Sequence, residues 1–141
     1  RIEELVSKLN VNRVHLAGYV PYYNVSTYMT AADVLVVPNS GAYDISKYYT
    51  SPIKLFEYMA SRRPIVVADL PSLREVVTHE ETALLFEPDD ANSLAAAIKL
   101  LHADSVLSEK LAANAAELSK KYTWSNRADS ILSFVNNLGI K

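Results

Sequence analysis

At 141 residues, half of them apolar, the chain is long enough for one domain with its own core and too short for two of ordinary size. A formal net charge of −2 lacks the basic footprint of a nucleic-acid binder, which leaves small ligands or proteins as partners. There is no cysteine, the scattered His15, His79 and His102 have no metal-ligand spacing, and no apolar run approaches the roughly 20 residues of a membrane span.

The chain opens inside an amphipathic helix, with Ile2, Leu5, Val6 and Leu9 at helical spacing and no initiating methionine, a start that reads as cut from a longer protein. Val14-His15-Leu16-Ala17, ended by Gly18, fits a buried strand. Tyr28, Met29, Ala31 and Ala32 suit a short helix, with Asn24 or Ser26 as its cap. A second strand, Asp33 to Val37, stops at Pro38. Residues 38–50 carry Pro38, Asn39, Ser40, Gly41 and Asp44 together with Tyr43, Tyr48 and Tyr49, the composition of a long loop. A loop of that length in a compact domain is often functional.

The run from Tyr49 to Ser61 is the densest in chemistry. Ser51 suits an N-cap and Pro52 the first helical position, so a helix over 52–61 should turn its free amides toward the preceding loop, an end that attracts phosphate. At about 100° per residue, Ile53, Phe56, Met59 and Ala60 form one apolar arc and Lys54, Glu57, Tyr58 and Ser61 the opposite one. A cation near a helix start opposes the macrodipole. A bound diphosphate would reverse that sign, with Lys54 as counter-charge and Glu57, one turn deeper, accepting hydrogen bonds from sugar hydroxyls. The competing reading is an exposed Lys54–Glu57 pair contributing a few tenths of a kcal/mol.

Beyond it come a strand from Pro64 to Ala68, a short helix from Pro71 to Thr78 and a strand from Ala83 to Phe86. Three helices follow. The first, N-capped by Asp90, buries Leu94, Ile98 and Leu101; the second, from Ser105, buries Leu107, Leu111, Ala115 and Leu118. The third, from Ser125, presents Ala128, Ile131, Leu132, Val135 and Leu138 and stops at Gly139. Trp124, the only tryptophan, is expected to pack in the core at that helix start. Apolar strands alternating with helices predict an α/β fold, a Rossmann-like parallel sheet covered on both faces. Ligands in such sheets bind beyond the carboxyl ends of the strands, which puts residues 18–21, 38–50 and 69–72 on one rim with the start of the 52–61 helix.

The run Ser51-Pro52-Ile53-Lys54-Leu55-Phe56-Glu57-Tyr58-Met59-Ala60, followed by Arg63-Pro64-Ile65-Val66-Val67-Ala68, resembles the donor-site segment of the group 1 (family 4) retaining glycosyltransferases. Similar pieces at Val14 to Gly18, Tyr28 to Pro38, Pro88-Asp89-Asp90 and Tyr122-Thr123-Trp124 extend the likeness over nearly the whole chain. The resemblance implies that residues 1–141 are a single unit, most of the C-terminal, donor-binding domain of a two-Rossmann-domain (GT-B) enzyme. It further implies a hexosyltransferase that uses a nucleotide diphosphate sugar such as a UDP- or GDP-sugar, needs no metal and builds polysaccharide, glycolipid or cell-surface glycan. On this reading Lys54 stabilises the diphosphate leaving group, Ser51, Pro52 and Ile53 hold the diphosphate, Glu57 holds the ribose, and Tyr19 and Val20 meet the base. Glu75 matches a glutamate often seen in the family pattern. A cytoplasmic location follows, with room for peripheral membrane association of the full-length protein, and the isolated chain is expected to be inactive. The other reading is a non-catalytic nucleotide- or phosphate-binding or interaction module.

Two departures accompany the resemblance. Tyr49 stands where many members carry a glutamate, with Asp44 as a substitute contact to the transferred sugar. The acceptor domain and the first two donor-domain strands are missing upstream, which in the 3-2-1-4-5-6 order would leave the 14–17 and 33–37 strands about 14 Å apart. Such a gap must close by altered strand order, be filled by a second copy, or mark a longer protein; the last is the expectation. The 125–138 helix then has an uncovered apolar face, which invites self-association.

Overall fold

Three short apolar runs build the sheet, followed by Pro38, by Asp69-Leu70-Pro71 and by Glu87-Pro88, and a proline cannot continue a central strand. In a computed structural model, residues 2–138 are described. Strands β1 (Leu35–Val37), β2 (Ile65–Ala68) and β3 (Leu84–Phe86) pair in parallel in the order β1-β2-β3. Val36 lies opposite Val66, and Val66 opposite Leu84. All four residues of the central strand are buried, as a strand covered on both faces requires.

The helices are α1 (Ile2–Lys8), α2 (Tyr22–Ala31), α3 (Asp44–Tyr48), α4 (Ile53–Ala60), α5 (Pro71–Arg74), α6 (Ala91–Ala103), α7 (Ser105–Ser119) and α8 (Trp124–Asn137). Helix α4 carries the chain between β1 and β2 and packs on β1 and α7, while α6 packs on β2, β3 and α7. The core joins Val37, Leu55, Met59, Ile65, Leu84 and Leu111, with Leu94, Ile98, Leu107 and Leu118 half-buried against it. Burial of a single leucine such as Leu55 contributes about 1.5–3 kcal/mol. Asp90 caps α6 as expected, its carboxylate accepting from the Asn92 and Ser93 amides at 2.8 and 3.2 Å.

Several expectations are corrected. Val14–Ala17 is not a strand: nothing among the described residues pairs with it, and Val14 and Leu16 are 44% and 48% exposed. A parallel strand stands only where a partner takes up its main-chain groups, and without one that backbone is left to water. The sheet therefore begins at β1, with no gap inside it. Asp33 and Val34 precede β1 rather than belonging to it, and the 38–50 loop contains α3. Helix α2 begins at Tyr22 after Pro21, with no side-chain cap. The helix expected over 71–78 ends at Arg74.

Helix α4 differs in two ways from the reading of its sequence. Pro52, extended at ψ 121°, is the N-cap, and no side chain caps the helix. Ser51 precedes a proline, which disfavours a helical backbone at that position, and its side chain makes no cap bond to the first amides. The buried stripe is Leu55 and Met59, flanked by half-buried Phe56 and Tyr58, while Ile53 is 67% exposed and Ala60 is exposed. Packing against both β1 and α7 draws in the Leu55 side, so Glu57 lines the same cleft as Ile53 and Ala60 instead of opposing them, with Lys54 exposed outside it.

Helix α8, capped by Thr123 through the Asn126 amide at 3.2 Å, buries none of its residues. Its Ile131, Leu132, Val135 and Leu138 are exposed, as the uncovered face anticipated. The stop at Gly139 falls outside the described residues.

Candidate functional site

The loops leaving the three strands are tied to one another over the sheet's carboxyl edge. After β1, the Gly41 amide donates to Asp89 Oδ2 at 2.9 Å in the loop after β3. A Cβ at Gly41 would come within 3.3 Å of the Pro88 Cβ, so the two loops meet closely there. The Ser72 hydroxyl at the start of α5 donates to the Ser46 carbonyl of α3 at 3.1 Å. Asp69, next after β2, takes a fork of two bonds from Arg74, the Nη2–Oδ2 one at 2.6 Å. That carboxylate, through hydrogen bonding and then charge, holds the Arg74 guanidinium above its ordinary value. The Gly41–Asp89 and Ser72–Ser46 bonds tie down the segment that delivers the chain into α4.

At the start of α4 the first helical amide to find a partner is that of Leu55, which donates to the Pro52 carbonyl at 3.0 Å. The amides of Ile53 and Lys54 have no acceptor among the described residues. Helix ends of this kind hold anions. Ser51, Ile53 and half-buried Glu57 line one cleft of about 850 Å³, whose other walls include Tyr22 and the chain from Lys121 through Trp124 to Arg127. The Phe56 and Tyr122 rings meet at its side with centroids 5.0 Å apart. One turn of helix separates Ile53 from Glu57, about 6 Å along the axis. An anion at the helix start and a hydroxyl-bearing group at Glu57 would fit along that length.

Not every predicted residue joins this group. Lys54 is exposed on the outward side of α4, outside the cleft lining, and forms no ion pair with Glu57 among the described residues. Tyr19 is 90% exposed and Val20 half-buried, and neither lines the cleft, although Tyr22 three residues later does. Asp44, Tyr49 and Glu75 are exposed, with Tyr48 and Tyr49 edge to face at 6.2 Å. Trp124, expected in the core, is 81% exposed on the cleft wall, at the start of a helix, α8, that buries none of its residues. Tyr22, Lys121 and Arg127 were not anticipated; the signals for them were the aromatic pair after Gly18-Tyr19-Val20-Pro21 and the basic residues around Tyr122-Thr123-Trp124. Among the described residues no group of three or more His, Cys, Asp or Glu side chains could hold a metal ion. No helix among them is long and apolar enough to cross a membrane.

A parallel sheet flanked by helices, with its loops gathered at the carboxyl edge, defines an α/β domain similar to the Rossmann-like domains of GT-B glycosyltransferases. Residues 1–104 match the family described as Glycosyl transferases group 1, and the chain belongs to that family. It is 32% identical over 122 residues to the phosphatidyl-myo-inositol mannosyltransferase of Mycobacterium leprae, covering 86% of this chain and 31% of that protein. It is 25% identical over 141 residues to the alpha-D-kanosaminyltransferase of Streptomyces kanamyceticus, covering 99% of this chain and 35% of the other. The sucrose-phosphate synthase of Thermosynechococcus elongatus superposes with a TM-score of 0.83 at 32% identity, over 98% of this chain and 33% of that one. HepE of Anabaena, solved with UDP, superposes with a TM-score of 0.83 at 20% identity, over 96% of this chain and 36% of its own, which shows a shared fold. The chain thus spans about a third of the length of the relatives it matches.

Proposed function

We propose that residues 1–141 are most of the donor-binding domain of a glycosyltransferase that moves a sugar from a nucleotide diphosphate sugar to an acceptor hydroxyl with retention. The observation that carries this reading is that the uncapped start of α4 and Glu57 face one cleft, beside a rim of strand-end loops. In the reaction the bond from the anomeric carbon to a diphosphate oxygen breaks, its electron pair leaves with the nucleoside diphosphate, and the acceptor oxygen bonds to the same carbon from the same face while its hydroxyl proton passes to the departing diphosphate. Charge builds on the diphosphate. The free amides of Ile53 and Lys54, at the helix start after Ser51 and Pro52, and the Lys54 ammonium would stabilise it without a metal. Lys54 reaches round the helix start from its outer side, since a four-carbon stem is long enough to bring its ammonium to an anion at that end.

Glu57 accepts from the ribose hydroxyls, a binding role. Tyr19 and Val20 meet the base through the main chain, and lie two or three residues from Tyr22, within about 10 Å of chain. UDP- or GDP-sugars are the donors to test first. The Anabaena neighbour was solved with UDP and with UDP-glucose, and the mycobacterial relative is named a mannosyltransferase. An acceptor domain in the whole protein would complete the active site, the 141-residue chain alone would not turn over, and the enzyme would work in the cytoplasm, at or near a membrane surface. In the isolated chain the bare face of α8 also offers a route to self-association, which sedimentation at two concentrations reads.

The test is a thermal-shift panel of UDP, GDP and ADP sugars against the chain and against Lys54→Ala and Glu57→Ala. Stabilisation by one base class that both substitutions abolish supports the reading. An equal response from all three proteins sinks the residue assignments, and no response to any nucleotide sinks the function.

A further inference from the structure

We infer that Tyr22 and Trp124 form a stacking clamp for the nucleotide base, on the cleft walls facing the Glu57 side of α4; this rests on the donor-binding reading above. Of the aromatic residues on the cleft, Phe56 and Tyr122 are spent on each other at 5.0 Å. Tyr22 and Trp124 form no ring contact among the described residues and remain 80% and 81% exposed. Two large rings bare to water in one concavity are costly unless a planar or apolar group covers them.

Their setting is defined. The Thr123 hydroxyl caps the α8 amides, and the Asn126 side chain donates to the Lys120 and Lys121 carbonyls at 3.1 and 3.2 Å, so the turn that presents Trp124 is held to the end of α7. Tyr22 is the first residue of α2, after Pro21, whose ring fixes the entry of the chain.

The order of groups in a nucleotide does the rest. With the diphosphate at the start of α4 and the ribose at Glu57, the base projects from the far side of the ribose. Of the cleft-lining side chains beyond α4, Tyr22 and Trp124 are the ones with a free aromatic face to offer it. Lys121 and Arg127 give these walls two cations against the one carboxylate of Glu57, a balance suited to an anionic ligand. Stacking of this kind tolerates either pyrimidine or purine, while main-chain contacts at Tyr19 and Val20 would choose between them by reading the base edge.

Because Trp124 is the sole tryptophan, its emission reports this wall alone. The experiment titrates the chain with UDP, GDP and inorganic pyrophosphate, following fluorescence and calorimetry in parallel, and repeats the calorimetry on Tyr22→Ala, Trp124→Ala and Trp124→Phe. The expected result is quenching by whichever nucleotide calorimetry shows to bind, UDP, GDP or both, and none by pyrophosphate. The alanine variants should bind nucleotide roughly five- to a hundredfold more weakly with pyrophosphate affinity unchanged, and Trp124→Phe should recover most of the loss. Nucleotide binding seen by calorimetry, without quenching and with native affinity in both alanine variants, overturns the clamp and leaves the donor reading standing. No nucleotide binding to the native chain overturns both.

Discussion

Replacing Lys54 with alanine should move stability and ligand affinity in opposite directions. Lys54 is the second helical residue of α4, exposed and without an ion pair to Glu57 among the described residues. Its ammonium therefore stands where the macrodipole disfavours a cation, by about 0.3–1 kcal/mol at low ionic strength. Alanine removes that term and is the slightly better helix former. For a domain of this size the melting temperature should rise by roughly 1–4 °C without ligand. The same change removes a charge-assisted contact to the diphosphate, about 1.5–3 kcal/mol, which corresponds to a roughly ten- to hundredfold weaker Kd. Scanning calorimetry reads the first effect and titration calorimetry with UDP and GDP the second, both at low salt because 0.15 M salt screens beyond about 8 Å. A variant that melts lower and binds nucleotides as tightly as before would refute the reasoning, since that is how a residue kept for a helical ion pair behaves.

Other substitutions separate the core from the site. Glu57→Ala should weaken UDP and GDP but leave inorganic pyrophosphate unchanged in titration calorimetry, because the carboxylate is assigned to the ribose. Leu55→Ala, at a fully buried position on the sheet side of the same helix, should cost about 2–5 kcal/mol in urea unfolding. Asp90→Ala strips α6 of its cap and should cost about 0.5–2 kcal/mol by the same measurement. Leu132→Ser, on the bare face of α8, should stay within about 0.5 kcal/mol of the native chain, a result that a hidden contact for that helix would contradict.

What was legible in the sequence followed local periodicity and capping. The apolar runs within 33–37, 64–68 and 83–86, the Asp90 cap and the buried positions of α6 and α7 are properties of a few neighbouring residues, and they stand in the structure with strand ends trimmed to 35–37, 65–68 and 84–86. Val14–Ala17 failed for the opposite reason: its composition fits a strand, but a strand exists only with a partner, and pairing is not a local property. The face of α4 departs from its apolar pattern because Ile53 and Ala60 are exposed while Leu55 and Met59 are buried, so packing overrides periodicity. Trp124 was assigned to the core on residue type alone. Its exposure depends on the direction α8 takes after Thr123, which no short window of sequence specifies.

The cleft has two walls of different mechanical character. One is α4, anchored through Leu55 and Met59 in a core whose fully buried residues all lie between Leu35 and Ala115. The other comes from α2 and α8, which bury no residue; their ends are tied by the Phe56–Tyr122 contact, the Thr123 cap, the Asn126 bonds to the Lys120 and Lys121 carbonyls and a bond from the Arg63 guanidinium to the Thr30 carbonyl, all of them near the surface. Elements with few buried contacts open at lower free energy than the core that carries them. The α4 wall thus presents its amides and carboxylate already fixed, whereas a ligand touching both walls must also order the second. Part of the binding energy is then spent on that ordering, and any further domain that covered the apolar side of α8 would remove the cost and tighten the same site without touching the ligand.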